Sequence, residues 1–504
     1  MADADDAILF EVVPGQLPRV VFRLPPHHDC EDTWQDRPLR ATPNGVRLTY
    51  HNNSKTLQNS NVLQVILRDH GFDREERLDG DWNIFWCAGQ VDPSELRRLK
   101  PHQKVNKFPK ASVLTLKSNL WVHFARMQRV HGAAKFGYMP QTFLLPNQAP
   151  QLEECMAQDM ARGDDSTWIV KPAASYCGKG IFLHRASSPA ENVQQHRGVA
   201  CRYLADPFLL DGLKSDIRLY VLVTGWHPLT VYLFEDGLAR FATEPYSKDA
   251  IDRRCMHLTN YSLNKHSKHF VKNTDAEQDG VGTKWSLAAF KRRVEQALGV
   301  QRAKEVWEEV DELVVKTAIA SSATTNEGLR SYLPSAARGQ PNTQCFQLFG
   351  FDVMLDSTGR PWLLEVNLDP ALRTESPLDL KIKSAMLVDL LNLIAVQVPS
   401  PDAPAEAADA PPHPAAGEAA EAGPAVTAEA EPQGGGEASE VGRAAPHTHT
   451  KEQMEAVLRH VNAEYARSKQ GRWRRLLPSA SSAKYAEFFE PHHHCNALPF
   501  DVSP

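Results

Sequence analysis

No apolar run in this chain approaches the length needed to cross a bilayer; the longest, Leu390 to Val398, is broken by Asn392 and Gln397. Cysteines number only eight in 504 residues. None stands in a CxxC pair, which suits free thiols in a reducing compartment better than a disulfide framework. Met1 to Asp6 is acidic and no apolar core follows it, so a secretory signal is not expected. A Walker A phosphate loop is missing, and so is any internal repeat. Nor is there an excess of positive charge: the formal net charge is −6. Residues 399–450 alone hold nine Asp or Glu against one Arg, which leaves the rest of the chain nearly neutral. That balance does not argue for nucleic acid, but it leaves room for a local basic face toward an acidic protein. A cytoplasmic protein without a membrane or nucleic-acid partner is expected.

A chain of 504 residues is too long for one small core, so two or three domains are expected. Residues 1–100 mix short strand-like runs with one amphipathic stretch, Val62 to His70, and a strand candidate over Trp82 to Trp86. A helix is predicted over 117–131, with Leu120, Phe124 and Met127 on one face. From 167 to 245 the pattern is β, with runs at 168–171, 181–183, 218–223 and 230–234. Two helices follow within 285–322, then a hairpin of 346–355 and 362–368, then a helix over 378–395. Residues 399–450 are rich in Ala, Pro, Glu and Gly without period, a composition that predicts disorder. Residues 451–469 read as helix, followed by the basic aromatic cluster Arg472-Trp473-Arg474-Arg475.

The hairpin carries the strongest chemical signal. Side chains alternate along a strand, so Glu365 and Asn367 share a face while Leu364 and Val366 point into packing. With Thr358-Gly359 as a two-residue turn, Asp352 falls opposite Glu365 on that face. Two facing carboxylates repel unless a cation lies between them, and oxygen ligands of this kind suit Mg²⁺ carrying nucleotide phosphates. An exposed polar hairpin face is the competing reading; Phe346, Leu348, Phe351, Val353 and Leu363 argue instead for a buried sheet. Lys214, Asp216 and Arg218 occupy alternate positions of a second strand, either as a self-satisfied ion pair or as the lining of an anionic pocket. Lys171 ends an apolar strand and is followed by Gly178-Lys179-Gly180, a loop able to cover polyphosphate, although alone it reads as a hairpin turn. His257-Leu258-Thr259-Asn260 supplies an imidazole, a hydroxyl and an amide in one short run.

These pieces occur in one order: Lys171 with its glycine loop, Arg202-Tyr203-Leu204, Lys214-x-Asp216-x-Arg218, His257 to Asn260, Phe349 to Asp352, and Glu365-Val366-Asn367. Over about residues 60–395 the chain resembles the tubulin–tyrosine-ligase-like family of ATP-grasp enzymes. Lys104 to Pro109, Pro140 to Pro146, Gly282 to Ser286 and Ser376 to Lys383 are most similar to its tubulin polyglutamylases. The resemblance implies an α+β or α/β ATP-grasp fold with an N-terminal subdomain (1–115), a central subdomain (116–245) and a C-terminal subdomain with the metal site (246–398). A disordered acidic linker (399–450) and a basic helical tail (451–504) would follow.

By the same resemblance, Lys117 and Lys171 contact ATP phosphates, Gly178 and Gly180 cover them, and Arg202 and Leu204 lie at the adenine hinge. Lys214 and Asp216 approach ribose and phosphates. His257, Thr259 and Asn260 line the phosphate and acceptor region. Asp352, Glu365 and Asn367 hold magnesium, and Arg218 and Arg240 face the reacting carboxylate and the amino acid. The sequence departs from the family at Cys201 and Arg202, where Gln and Lys are frequent. It departs again at Cys177, where Arg is common, and at Asp369-Pro370-Ala371, which sets an extra carboxylate near the metal.

The implied reaction joins free L-glutamate to glutamate γ-carboxylates in acidic tubulin tails through an acyl phosphate, with ATP and Mg²⁺ as cofactors. Lys171, Glu365, Arg218 and Arg240 are the implied catalytic groups. The implied setting is a monomer in the cytoplasm on the cytoskeleton, at microtubules, a cilium or a basal body. Alternatives are a glycine or tyrosine donor, a non-tubulin acidic acceptor, or a microtubule-binding pseudoenzyme. Residues 451–490, with eight Lys or Arg against five Asp or Glu, are either a microtubule-docking element or a solvated helix and tail. His492-His493-His494-Cys495 lacks a second ligand pair and reads as a tail rather than a zinc site.

Overall fold

The computed structural model describes residues 8–25, 29, 35, 37–53, 61–173, 178–189, 191–399 and 450–490. The disorder expected over 399–450 and the His492 to Cys495 run fall outside these residues, apart from positions 399 and 450.

The architecture is mixed α+β, with four sheets among the described residues. The largest is antiparallel, in the order Lys284–Ser286, Leu229–Phe241, Leu213–Trp226, Gln347–Leu355, Pro361–Asn367. Its side-chain alternation splits the core in two. Ile217, Leu219, Val221 and Val223 pack with Val306, Val310 and Leu313 of helix Val300–Tyr332. Tyr220 and Leu222 join Tyr232 and Phe234 against Leu387 and Leu390 of helix Pro377–Ile394 and Val62 and Ile66 of helix Asn61–Asp69. Each such buried side chain contributes about 1.5–3 kcal/mol. Lys214, Asp216 and Arg218 continue the Tyr220/Leu222 face toward the start of the strand, where the apolar cover ends. A four-stranded antiparallel sheet (Thr142–Leu145, Gly198–Arg202, Thr167–Pro172, Phe182–Arg185) stands beside it, backed by Leu152 and Met156 of helix Ala149–Ala161. A parallel sheet of Phe72–Arg74, Leu48–Asn52, Ile84–Trp86 and Lys104–Val105 forms the N-terminal part.

The helix predicted over 117–131 spans Lys117–His131, with Leu120, Phe124 and Met127 buried. The strand candidate over Trp82 to Trp86 shortens to Ile84–Trp86. The second helix of the 285–322 pair continues to Tyr332. Its apolar period fades at Ser321, Ser322 and Thr325, yet all three are buried, because their hydroxyls donate back to Ala318, Ile319 and Ser321 carbonyls.

Residues 450–490 are built into the body rather than trailing from it. Thr450 opens helix Lys451–Ser468 with a capping box. Strand Trp473–Leu477 then pairs with Val231 to Phe234 of the main sheet. Trp473 is buried, Arg474 forms two 2.7 Å bonds to Asp311, and the Arg475 guanidinium lies 3.6 Å from the Tyr465 ring centre. The cluster thus has partners within the chain, with Trp473 and Arg475 buried and Arg474 still about half exposed.

The hairpin differs from expectation in a self-correcting way. Its loop is five residues, 356–360, tied by Asp356, which accepts from the backbone N–H of Thr358 and Arg360 and from the Trp362 indole. A one-residue bulge between Asp352 and Val353 on the register shifts the pairing back, so Asp352 still faces Glu365 and Gly350 faces Asn367. The bulge turns Leu364 out of the packing: Leu363 is fully buried, while Leu364 lines the cleft described next.

Candidate active site

Between the four-stranded and the main sheet lies an open cleft of about 830 Å³. Apolar groups line one part: Met139, Ile169 and Ile181 from one side, Met354 and Leu364 from the other. Charged groups line the remainder, and Lys171, Arg202, Leu204, Lys214, Asp216, His257, Thr259, Asn260, Asp352 and Glu365 all reach it.

At its charged end three strands bring four ions together. Arg218 donates to Asp352 at 2.6 and 3.1 Å. Arg240 lies 2.8 Å from Asp352 and donates to Asp216 at 2.8 Å. Gly350 makes room for this: a Cβ there would stand 3.1 Å from the Arg218 side chain and 3.1 Å from Pro370. Burial alone would raise the Asp352 carboxyl, but Arg218 and Arg240 outweigh it and hold the acid well below the ordinary carboxylate range. Lys117 reaches Glu365 at 3.1 Å, and Asn367 donates to the Gly350 carbonyl at 3.3 Å.

Lys214 is buried and donates to the Tyr203 hydroxyl at 2.8 Å. The Tyr203 oxygen lies 2.8 Å from His257 Nδ1, whose Nε2 lies 2.9 Å from the Ala250 carbonyl. Burial lowers His257, so the neutral ring donates from Nε2 to Ala250 and accepts from Tyr203 at Nδ1. Its imidazole is thus a strut for Tyr203 and Lys214. Burial also pushes the Lys214 ammonium down to about 7, against the pull of Asp216.

The described part of the glycine loop is clamped: Arg254 donates to the Gly178 carbonyl at 2.8 Å, and a Cβ on Gly178 would meet Asn260 Oδ1 at 3.0 Å. Gly178 and Gly180 both have positive φ, at 71° and 69°. Arg202 bonds Asp159 at 2.7 Å and lies over the Trp168 ring. Asp369 differs from expectation: its oxygens are taken by Lys107 and by the Gly89 N–H, so it ties the chain end of the hairpin to the N-terminal sheet. Lys117, Arg218 and Arg240 meet the cleft through the lining carboxylates Glu365, Asp352 and Asp216 that they pair with.

The sequence names Tyr203 within Arg202-Tyr203-Leu204 without giving it a role, and the apolar slot leaves little mark there. Alternation from Lys171 does place Ile169 on the same strand face. Met139 and Met354 carry no such signal, because an apolar side chain in a cleft looks like core.

The donors present for a metal are hard oxygens, Asp352, Glu365 and Asn367. Among the described residues no cluster of three or more His, Cys, Asp or Glu forms a dedicated cage. Five cations (Lys117, Lys171, Lys214, Arg218, Arg240) face three carboxylates (Asp216, Asp352, Glu365) here. A surplus of that sign suits a cation that arrives with polyphosphate rather than alone.

The family model described as "Tubulin-tyrosine ligase family" matches residues 95–406. Tubulin polyglutamylase TTLL5 of Homo sapiens is 40% identical over 348 residues, covering 68% of this chain and 26% of that protein. Tubulin monoglutamylase TTLL4 of Homo sapiens is 36% identical over 403 residues, 78% of this chain and 31% of that protein. A probable beta-tubulin polyglutamylase of Tetrahymena thermophila is 38% identical over 317 residues, 62% of this chain and 26% of that protein. The chain thus matches about a quarter to a third of the length of these relatives.

Proposed function

The chain belongs to the tubulin-tyrosine ligase family, and on that premise we propose that it is an ATP-dependent ligase joining glutamate to glutamate side chains in acidic tubulin tails. The observation that carries this reading is one continuous cleft with an apolar slot beside a cationic end. Met139, Ile169, Ile181, Met354 and Leu364 offer a flat apolar space for adenine. Lys171 and Lys214 stand where phosphates would extend from it, and Gly178 and Gly180 would cover them. In this reading the nucleotide lies between the four-stranded antiparallel sheet and the main sheet; a subdomain boundary at 245/246, as the resemblance implies, would divide the main sheet, whose strands Leu213–Trp226 and Leu229–Phe241 pair with Gln347–Leu355 and Lys284–Ser286.

The acceptor carboxylate attacks the γ-phosphorus, ADP leaves, and the amine of free glutamate displaces phosphate from the acyl phosphate. No enzyme nucleophile is needed, so no cysteine has a covalent role. Magnesium held by Asp352, Glu365 and Asn367 would neutralise charge on the transferring phosphoryl group. Arg218 and Arg240 bind carboxylate in the resting protein and would exchange Asp352 and Asp216 partly for substrate carboxylates. The names of the relatives support tubulin as acceptor and a cytoskeletal, cytoplasmic setting.

The test is incorporation of labelled glutamate, glycine or tyrosine into microtubules, read by mass spectrometry of tubulin tails. Glutamate additions lost by at least about a hundredfold in Glu365→Gln support the assignment. Additions of another amino acid overturn the donor, and failure to bind ATP overturns the enzyme reading.

A further inference from the structure

A second cavity, of about 980 Å³, opens at the other end of the same long strands, lined by Thr224, Cys345 and Phe346 rather than by Lys214 and Asp352. Its remaining walls come from residues 16–19, from Ile394 to Gln397, and from helix Lys451–Ser468. Nothing in the ligase reaction uses it.

Its charge does not balance. Arg19, Lys104, Arg459 and Arg467 line it, with His460, against one carboxylate, Glu464. Arg19 has a partner in Glu11, and Arg459 a distant one in Glu455 at 3.9 Å. Lys104 donates to the Thr343 carbonyl, and among the described residues neither Lys104 nor Arg467 forms an ion pair; Glu464, whose charge both feel, has His460 at 3.9 Å and also acts on Arg475. Glu464 itself is anchored, accepting from the Thr224 hydroxyl at 2.6 Å and the Tyr232 hydroxyl at 2.9 Å. Lys104 is 5% exposed. Burial first and the Arg467 charge second push its ammonium down to about 8. Arg467 bonds only a carbonyl, that of Leu393, at 2.9 Å. A buried ammonium beside a half-buried guanidinium costs stability unless an anion joins them.

We propose that this cavity is a binding site for a phosphoryl anion, of the inorganic phosphate or short polyphosphate class, separate from the nucleotide cleft. One carboxylate would bring a single charge. A phosphate or tripolyphosphate brings two or more in a small volume, with enough oxygens to meet the Lys104 ammonium and the Arg467 and Arg459 guanidinium forks together. Because those groups belong to different parts of the chain, the anion also clips helix Lys451–Ser468 to the Lys104 strand. The inference is independent of the reaction proposed above.

The test is tripolyphosphate and, in parallel, inorganic phosphate titrated by calorimetry into the full chain at fixed ionic strength, with the cleft saturated by a non-hydrolysable ATP analogue. Saturable binding is expected, weakened at least about tenfold by Lys104→Met. Arg459→Ala removes an exposed side chain at the rim and leaves the fold alone, so it serves as the second variant; it should weaken binding several-fold while analogue binding stays unchanged. Binding that only tripolyphosphate shows assigns the site to polyphosphate, and equal binding of both assigns it to a single phosphoryl group. Absence of saturable binding, or binding indifferent to both substitutions, overturns the assignment.

Discussion

The Lys214 ammonium gives the sharpest test of the cleft. Burial lowers it from an ordinary 10.5 to about 7. At about 1.4 kcal/mol per pH unit, that gap favours the neutral amine by roughly 5 kcal/mol. The sign follows from where the protons sit. Between about 7 and 10.5 the unfolded chain holds a proton that the folded chain has released, so stability rises with pH across that window and the full cost is felt below it. A polyphosphate in the cleft reverses the preference by supplying the missing negative charge. At pH 8 most of the free protein carries neutral Lys214, so nucleotide binding should take up close to one proton, and affinity should fall by up to about tenfold per pH unit above 7. Calorimetric titration of a non-hydrolysable ATP analogue at pH 8, in buffers of different ionisation enthalpy, reads that proton directly. Lys214→Arg keeps the charge and should abolish the uptake while retaining binding. No proton uptake by the unmodified chain, or an equal uptake by the arginine variant, refutes the placement of phosphate beside Lys214.

Asp379 is fully buried between Lys284 at 2.6 Å and Lys383 at 3.1 Å. Asp379→Asn strands two ammonium groups and should cost about 3–5 kcal/mol in urea denaturation at pH 7. The two lysines outweigh burial and push Asp379 down to about 2, so its contribution is complete above the ordinary carboxylate range and lost as pH falls from about 4 toward 2; the variant should approach the parent there. Trp473→Ala should destabilise by about 3–5 kcal/mol, with one cooperative transition if residues 450–490 belong to the body. A separate low-temperature transition would show instead that they fold apart.

The strands and the charged faces were legible because both obey period two. Lys214, Asp216 and Arg218 alternate in sequence and line up in space, and Asp352 meets Glu365 as the pairing sum required. That agreement hid two errors that cancel, a longer loop and a bulge, because pairing arithmetic sees only their net effect. Helix Ala149–Ala161 was missed, since its polar face is broad and its buried positions are few. The partners of ions were also hidden: nothing local tells Asp369 that Lys107, 262 residues away, will claim it. Residues 472–475 hide their partners for the same reason: nothing local tells Arg474 that Asp311, or Arg475 that Tyr465, will stand beside it.

The late strand Trp473–Leu477 has a consequence for synthesis. It covers the Val231 to Phe234 edge, yet 239 positions separate Phe234 from Trp473. At about 5–20 residues per second that edge waits roughly 12–48 s on the ribosome with its backbone groups unpaired. An uncovered row of Val, Tyr, Leu and Phe is a template for any neighbouring nascent chain. Crowded polysomes and premature termination before Trp473 should therefore yield aggregates of the main sheet, while emergence of Trp473–Leu477 closes the seam.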